Sequence, residues 1–363
     1  MKALVARAMA EGALGFSTGL QYIPGAYAEL PEIVALASAA AAAGGLYASH
    51  MRNEGTAIDA AIDEALAVGE AARCRVQISH LKIDSPAHWG ASARVLAHID
   101  AARARGLEVR ADQYVYTAGS STLGIRFPSW ALEGGRERIH ARLDTPATWE
   151  RIRSEMKQLL AERGFEDLGW AVVASYAPDP SRDGLSIREI AARVKGSTSA
   201  DAQLEVAREM LRAGGAQMVY HFMSEEDVAR ILRHPAVAIA SDSSLLVAGE
   251  GVPHPRGYGN NARVLGRYVR EAKVLALEEA VRKMTALPAE QFRFAGRGLV
   301  RAGHAADLVV FDPKEVADRA TYEHPHRFPS GIPYVIVNGV VAVSDSRPTG
   351  ARAGQVLRGA GAR

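Results

Sequence analysis

The sequence predicts an α/β protein made of successive strand-helix units on a parallel sheet or barrel, interrupted by an insertion and closed by a small β-rich domain. Three observations predict it. Short apolar runs alternate with helical stretches, and the histidines ending two successive runs, His50 and His80, lie 30 residues apart. Each run ends on a polar group. The last 60 or so residues carry β-type runs without intervening helices.

The elements follow in order. GALGFSTG (12–19) is the first apolar run. Pro31 and Glu32 open the helix PEIVALASAAAAA, proline suiting a first turn and glutamate the positive helix end, and Gly44-Gly45 close it. LYASH (46–50) follows. Thr56 and Asp59 have capping-box spacing at the head of TAIDAAIDEALAVGEAAR, whose Ile58, Ile62, Ala65 and Leu66 share one face. RVQISH (75–80) is the next run, and a third helix around HWGASARVLAHIDAARARG stops at Gly106 before LEVRADQYVY. Right-handed crossovers of this kind build a parallel sheet or barrel, so His50, His80 and the segment Asp112 to Tyr116 are expected at one edge.

This divides the chain into βα units over 1–122, a charge-rich, partly helical insertion over 123–217, further βα units over 218–300, and a β-rich domain over 301–363. The insertion holds one strand-like run, WAVVASYA (170–177). The parallel pattern is expected to resume with AQMVYHFM and then AVAIASD (236–242). In the tail, ADLVVFD and YVIVNGVVAVSD read as strands, the second broken into a hairpin at Asn338-Gly339.

Composition limits the partners. Hydrophobic residues are 48% of the 363 and charged residues 23%, an ordinary globular balance. A net charge of +2, from 43 basic and 41 acidic residues, gives no uniform field for nucleic acid or anionic lipid, so a small-molecule partner is expected. Cys74 is the single cysteine, which excludes an intrachain disulfide and fits a reducing compartment. Arg7 and Glu11 interrupt the first apolar stretch, and no run approaches the roughly 20 residues that span a bilayer. The expectation is a cytoplasmic protein.

Two histidines and Asp242, each ending a strand, suit a catalytic zinc, which takes imidazole and carboxylate ligands and keeps one position for water. One such histidine alone reads better as a packed polar cap. Two in matching contexts, with Ala-Ser-Asp later, favour the metal.

A wider pattern points the same way. GALGFSTGLQYIPGAYAELPEI, YASHMRNEG, QISHLK, DQYVYTAGSSTL, IASDSS, HPRGYGNNARVLGRYVRE and GLVRAGHAADLVVFDPKEVADRATY with GIPYVIVNG together resemble the N-acyl-D-amino-acid deacylases (D-aminoacylases) of the amidohydrolase superfamily. The resemblance implies a metal-dependent-hydrolase (β/α)8 TIM-type barrel with zinc on His50 and His80. It implies that Asp242 activates water and passes the proton to the leaving amine. Lys82, Tyr114, Ser120 and Arg256 fall on positions that hold the substrate carboxylate or acyl group, and Met223 on one lining the side-chain pocket. Taken singly, Lys82 and Arg256 also fit surface charges, Tyr114 and Met223 core positions, and Ser120 a turn. Val115 stands where the family's D-x-Y-P-Y segment has proline.

The same resemblance implies an H-x-H pair and a bridging cysteine on early strands. Neither is expected here: by this count strands four to eight are present and one to three are not. Cys74 lies six residues before His80, roughly 20 Å along a strand, at the wrong end for a bridge. His324-Pro325-His326 is literally H-x-H but reads as a surface loop. The leading expectation is therefore the C-terminal portion of a zinc-dependent N-acyl-D-amino-acid deacylase. Two alternatives stay open: a non-catalytic truncated chain, or a half-barrel needing an N-terminal segment from a partner, and an amidohydrolase acting on a cyclic amide.

Overall fold

The computed structural model describes residues 1–359, 361 and 362. Helix α1 (Lys2–Ala10) precedes three strand-helix units and a fourth strand: β1 (Gly15–Gly19), α2 (Leu30–Ala41), β2 (Leu46–His50), α3 (Ile58–Ala72), β3 (Val76–Ile78), α4 (Ser92–Ala104) and β4 (Val109–Gln113). After β5 (Ala118–Thr122) come α5 (Gly135–Asp144), α6 (Pro146–Arg163), β6 (Ala171–Ser175), α7 (Ile187–Lys195) and α8 (Ala200–Arg212). Then follow β7 (Gln217–His221), α9 (Glu225–Arg233), β8 (Val237–Ile239), α10 (Arg256–Arg263), a π-helical turn (Val264–Glu271), α11 (Leu277–Met284) and α12 (Ala286–Phe292). The chain ends in β9 (Leu308–Val310), β10 (Tyr334–Val337), β11 (Val340–Ser344) and β12 (Arg347–Pro348).

Five strands form a parallel sheet in the order β1-β2-β3-β4-β8. Strands β3 and β8 (Val237–Ile239) are buried along their whole length, as in a sheet covered on its faces. Tyr47, Val76, Ile78 and Val109 meet Ile62, Leu66, Val95 and Ile99 of α3 and α4 in one buried cluster. Each such aliphatic side chain contributes roughly 1.5–3 kcal/mol by leaving water. Gly15 is required where it is, because a Cβ there would lie 2.2 Å from the Leu46 carbonyl oxygen.

AQMVYHFM does not resume this sheet. Its strand, β7, pairs antiparallel with both β5 and β6 in a separate three-stranded sheet. The place beside β4 is already taken by β8, whose Ala238 lies opposite Asp112. Period alone cannot say which sheet an apolar run joins, and the small, polar β5 (AGSST) that partners it carries little strand signal. This second sheet packs on α6 and α8 through Ile152, Met156, Leu204 and Met210.

The α3 start differs from the capping-box expectation. No side chain caps the helix at Ala57. Instead Asn53 Oδ1 accepts the Gly55 and Ala57 amides, both at 2.9 Å, so the turn is closed one step earlier. The tail behaves as expected in β10 and β11, joined by Asn338 and Gly339 at φ 47° and 81°, the signature of a tight hairpin turn. The connection leading to it does not stay on the surface. Asp318 accepts a 2.6 Å hydrogen bond from Tyr116, and His326 bonds Tyr258 Oη at 3.0 Å and the Gly251 carbonyl at 3.1 Å. Only His324 of the H-x-H stretch is an exposed loop residue.

No helix among the described residues is long and apolar enough to cross a membrane.

Candidate metal centre and substrate pocket

Parallel pairing puts the C-terminal ends of β2, β3, β4 and β8 at one edge. His50 ends β2, His80 follows β3 by two residues, and Asp242 follows β8 by three. His80 and Asp242 both take left-handed backbone conformations, φ 39° and 50°. For non-glycine residues that costs roughly 1 kcal/mol or more, and it recurs at functional sites. At His80 the turn is held by Asp112, whose Oδ1 accepts the His80 amide at 2.7 Å while Oδ2 accepts from Gln77 at 2.5 Å. Burial pushes the Asp112 carboxyl up, and the His80 amide and charge oppose this.

The two imidazoles face each other with His50 Nδ1 2.7 Å from His80 Nε2. Their outer nitrogens are both engaged: His50 Nε2 with Gln21 Oε1 at 2.9 Å, and His80 Nδ1 with Glu54 Oε1 at 3.0 Å. Lys82 Nζ, a donor, also lies 2.7 Å from His80 Nδ1, so that nitrogen meets one acceptor and one donor and its contacts do not assign its proton. Burial pulls the His50 ring down to about 4, with Glu54 opposing, so it is neutral and able to ligate at pH 7.

Glu54 is the residue that sequence reasoning missed. It is 3% exposed at the centre of the site, and His50, Glu54 and His80 each offer a donor atom within 4.8 Å of the others. Burial raises its carboxyl, but Lys82, His50 and His80 outweigh that and hold it well below the usual carboxylate range. Its position in H-x-R-x-E, four residues after His50, was the available signal.

The other expected residues gather round a 270 Å³ cavity bordered by this cluster. Lys82 Nζ reaches Glu54 Oε1 at 2.5 Å and the His80 carbonyl at 2.8 Å. Tyr114 is buried with Lys82 Nζ 5.8 Å and the Arg256 guanidinium 4.4 Å from its ring centre. Arg256 opens α10 and lies 2.9 Å from Asp242 Oδ2. Ser120 borders the cavity while its hydroxyl donates to the Met218 carbonyl at 2.9 Å. Met223 does not line it: the side chain is buried in the core beside it, and Phe222 and Tyr220 take the wall instead.

Arg126 was also missed. It borders the cavity with its guanidinium 4.2 Å from the Tyr220 ring centre and 5.0 Å from that of Trp170. Its buried Nε has no hydrogen-bond partner, and it forms no ion pair among the described residues. A lone arginine inside the apolar stretch LGIRFPSW was the signal. Cys74 lies at the opposite end, beside a separate cavity bordered by Gly45, Arg75 and Leu107, where burial raises its thiol.

A parallel α/β sheet with histidines and a carboxylate converging at its C-terminal edge is an arrangement that can hold a divalent metal ion. The chain belongs to the amidohydrolase family, whose family model matches residues 1–343. It is 42% identical over 358 residues to an N-acyl-D-glutamate deacylase of Alcaligenes xylosoxydans xylosoxydans, covering 99% of this chain and 63% of that protein. A D-aminoacylase of the same organism is 38% identical, covering 98% of this chain and 64% of its own length. Among solved structures, the N-acyl-D-glutamate deacylase of Bordetella bronchiseptica, complexed with zinc and a phosphonate inhibitor, superposes with a TM-score of 0.80 at 38% identity, covering 98% of this chain and 65% of that one. The chain thus spans just under two thirds of the length of these relatives.

Proposed function

We propose that this chain carries much of the active site of a zinc-dependent deacylase that hydrolyses N-acyl-D-amino acids with an acidic side chain. The observation that carries the reading is the cluster of His50, Glu54 and His80 at the cavity, whose donor atoms all lie within 4.8 Å of one another. That arrangement fits a cation held by His50 and His80, with Glu54 orienting His80 or serving as a third donor. Zinc is the metal proposed because the Bordetella relative binds it. When bound, zinc supplies Lewis acidity to the amide carbonyl and to water.

This chain's residues do the rest. Lys82, Tyr114 and Arg256 border the cavity as the cationic and phenolic face for the substrate's α-carboxylate. Arg256 pairs with Asp242 in the free chain, so its transfer to that carboxylate releases Asp242 as the base. Water adds to the acyl carbon, Asp242 takes its proton and returns it to the departing nitrogen, and the C–N bond breaks to give a carboxylate and a free D-amino acid. Arg126, half-buried and without an ion-pair partner among the described residues, is the counter-charge for an acidic substrate side chain.

We read the five parallel strands as consecutive strands of a (β/α)8 barrel. In the sheet order β1 and β8 stand at the edges, with no further strand beside them among the described residues. That observation favours a second reading, a chain inactive until another segment completes the sheet. The test is zinc content of the purified chain and amino-acid release from N-acetyl-D-glutamate against its L-enantiomer. Stoichiometric zinc with D-selective release supports the first reading, and zinc without release the second. A chain that retains no zinc and releases nothing overturns both.

A further inference from the structure

Two further spaces adjoin the substrate cavity. One, of about 540 Å³, shares Asp242 and Arg256 with it and carries Glu250 on its own wall. The other, of about 590 Å³, shares only Gln21, Tyr22 and Ile125. Two of those shared residues sit on the metal side: Gln21 bonds His50, and the Tyr22 ring centre is 4.7 Å from that of His50. None of the cations assigned to the amino-acid half borders this second space, and no charged side chain lines it at all. Its wall includes Ile23, Phe127, Leu132, Ile139 and Leu211, part from the β1 connection and part from the 123–217 segment. Tyr22 Oη and Ser121 Oγ, 3.1 Å apart, mark the threshold between the two spaces.

A substrate whose carboxylates lie on Lys82, Arg256 and Arg126 and whose carbonyl lies at His50 and His80 has one group left to place, the acyl substituent. The neutral space is entered from the metal side, where that substituent emerges. We propose that this trough is an acyl-chain subsite and that D-amino acids carrying a medium-length linear acyl group are bound in preference to their N-acetyl counterparts. The inference rests on the deacylase reading for the orientation of the ligand. It adds the chemistry of the acyl half.

Burial of methylenes sets the size of the effect: each should tighten binding roughly three- to fourfold until the trough is full. The experiment is calorimetric titration of the zinc-supplemented chain with N-acetyl-, N-butanoyl- and N-octanoyl-D-glutamate. The expected result is a dissociation constant at least about a hundredfold lower for octanoyl than for acetyl, with butanoyl between. Ile139→Asp and Leu211→Asp, each outside the catalytic cluster, should remove the octanoyl gain and leave N-acetyl-D-glutamate binding unchanged. Leu132→Gln offers a milder version should either aspartate variant fold poorly. Equal affinities across the series, no octanoyl binding, or a gain that survives the substitutions would overturn the subsite. A chain-length gain without any hydrolysis would instead count against the deacylase reading alone.

Discussion

His50 and His80 are held face to face by contacts on their outer nitrogens, Gln21 on the one and Glu54 with Lys82 on the other. Replacing either histidine by alanine should abolish stoichiometric zinc, read by elemental analysis after dialysis. Glu54→Gln should weaken zinc about 10- to 100-fold, the usual cost of losing an orienting carboxylate. Arg126→Met should raise KM for an N-acyl-D-glutamate about a hundredfold while sparing an N-acyl-D-leucine, since only the former would leave a charge unpaired. Lys283 makes a prediction about pH. It is fully buried, donates to the Val237 carbonyl at 2.8 Å and to that of His234, and burial pulls its pKa down to about 8. Between about pH 8 and the unfolded lysine value near 10.4 the unfolded chain keeps a proton the folded chain has lost. Its contribution to stability therefore rises with pH over that window. Urea titrations at pH 8 and 10 should show wild type gaining about 1–3 kcal/mol relative to Lys283→Met.

Helix α10 joins the site to the tail. Arg256 at its start faces Asp242, while a Cβ on Gly259 one turn later would lie 1.9 Å from Asp318 Oδ1. Gly259→Ala must therefore displace the Asp318 carboxylate that holds Tyr116. A loss of about 2 kcal/mol or more is expected in chemical unfolding, with Asp318→Ala, Gly259→Ala partly restored because the clash is gone. Helix α7 carries a full capping box, Ser186 with Glu189, legible in S-I-R-E. The box expected at Thr56 and Asp59 has the same spacing but fails, because Asn53 closes that turn first. Spacing identifies a candidate cap; the preceding backbone decides whether it forms.

Two apolar cores lie side by side, one under the parallel sheet and one joining the antiparallel β5-β7-β6 sheet to α6, α8 and the tail residue Val316. The candidate centre draws from β2, β3 and β8 on the first and from β5 and β7 on the second. Zinc bound only by the folded chain should then stabilise the whole, by about 4 kcal/mol at a thousandfold excess over its dissociation constant. An upward shift of the unfolding temperature with zinc, reversed by a chelator, is the expected outcome; an unchanged temperature would mean that no folded-state site exists.

The sequence by itself determined the parallel βα register, the strand-end placement of His50, His80 and Asp242, and the Asn338-Gly339 hairpin, because each depends on local period or turn chemistry. It could not assign β7 to its sheet, since pairing partners are chosen by which edges remain free after β8 docks on β4. Nor could it reveal that Glu54 is buried and Arg126 half-buried at the cavity, that Phe222 rather than Met223 forms its wall, or that the tail returns to Tyr116. Those are long-range contacts. Tertiary packing alone decides which polar groups lose water together, and that loss of water makes a charged side chain part of a site.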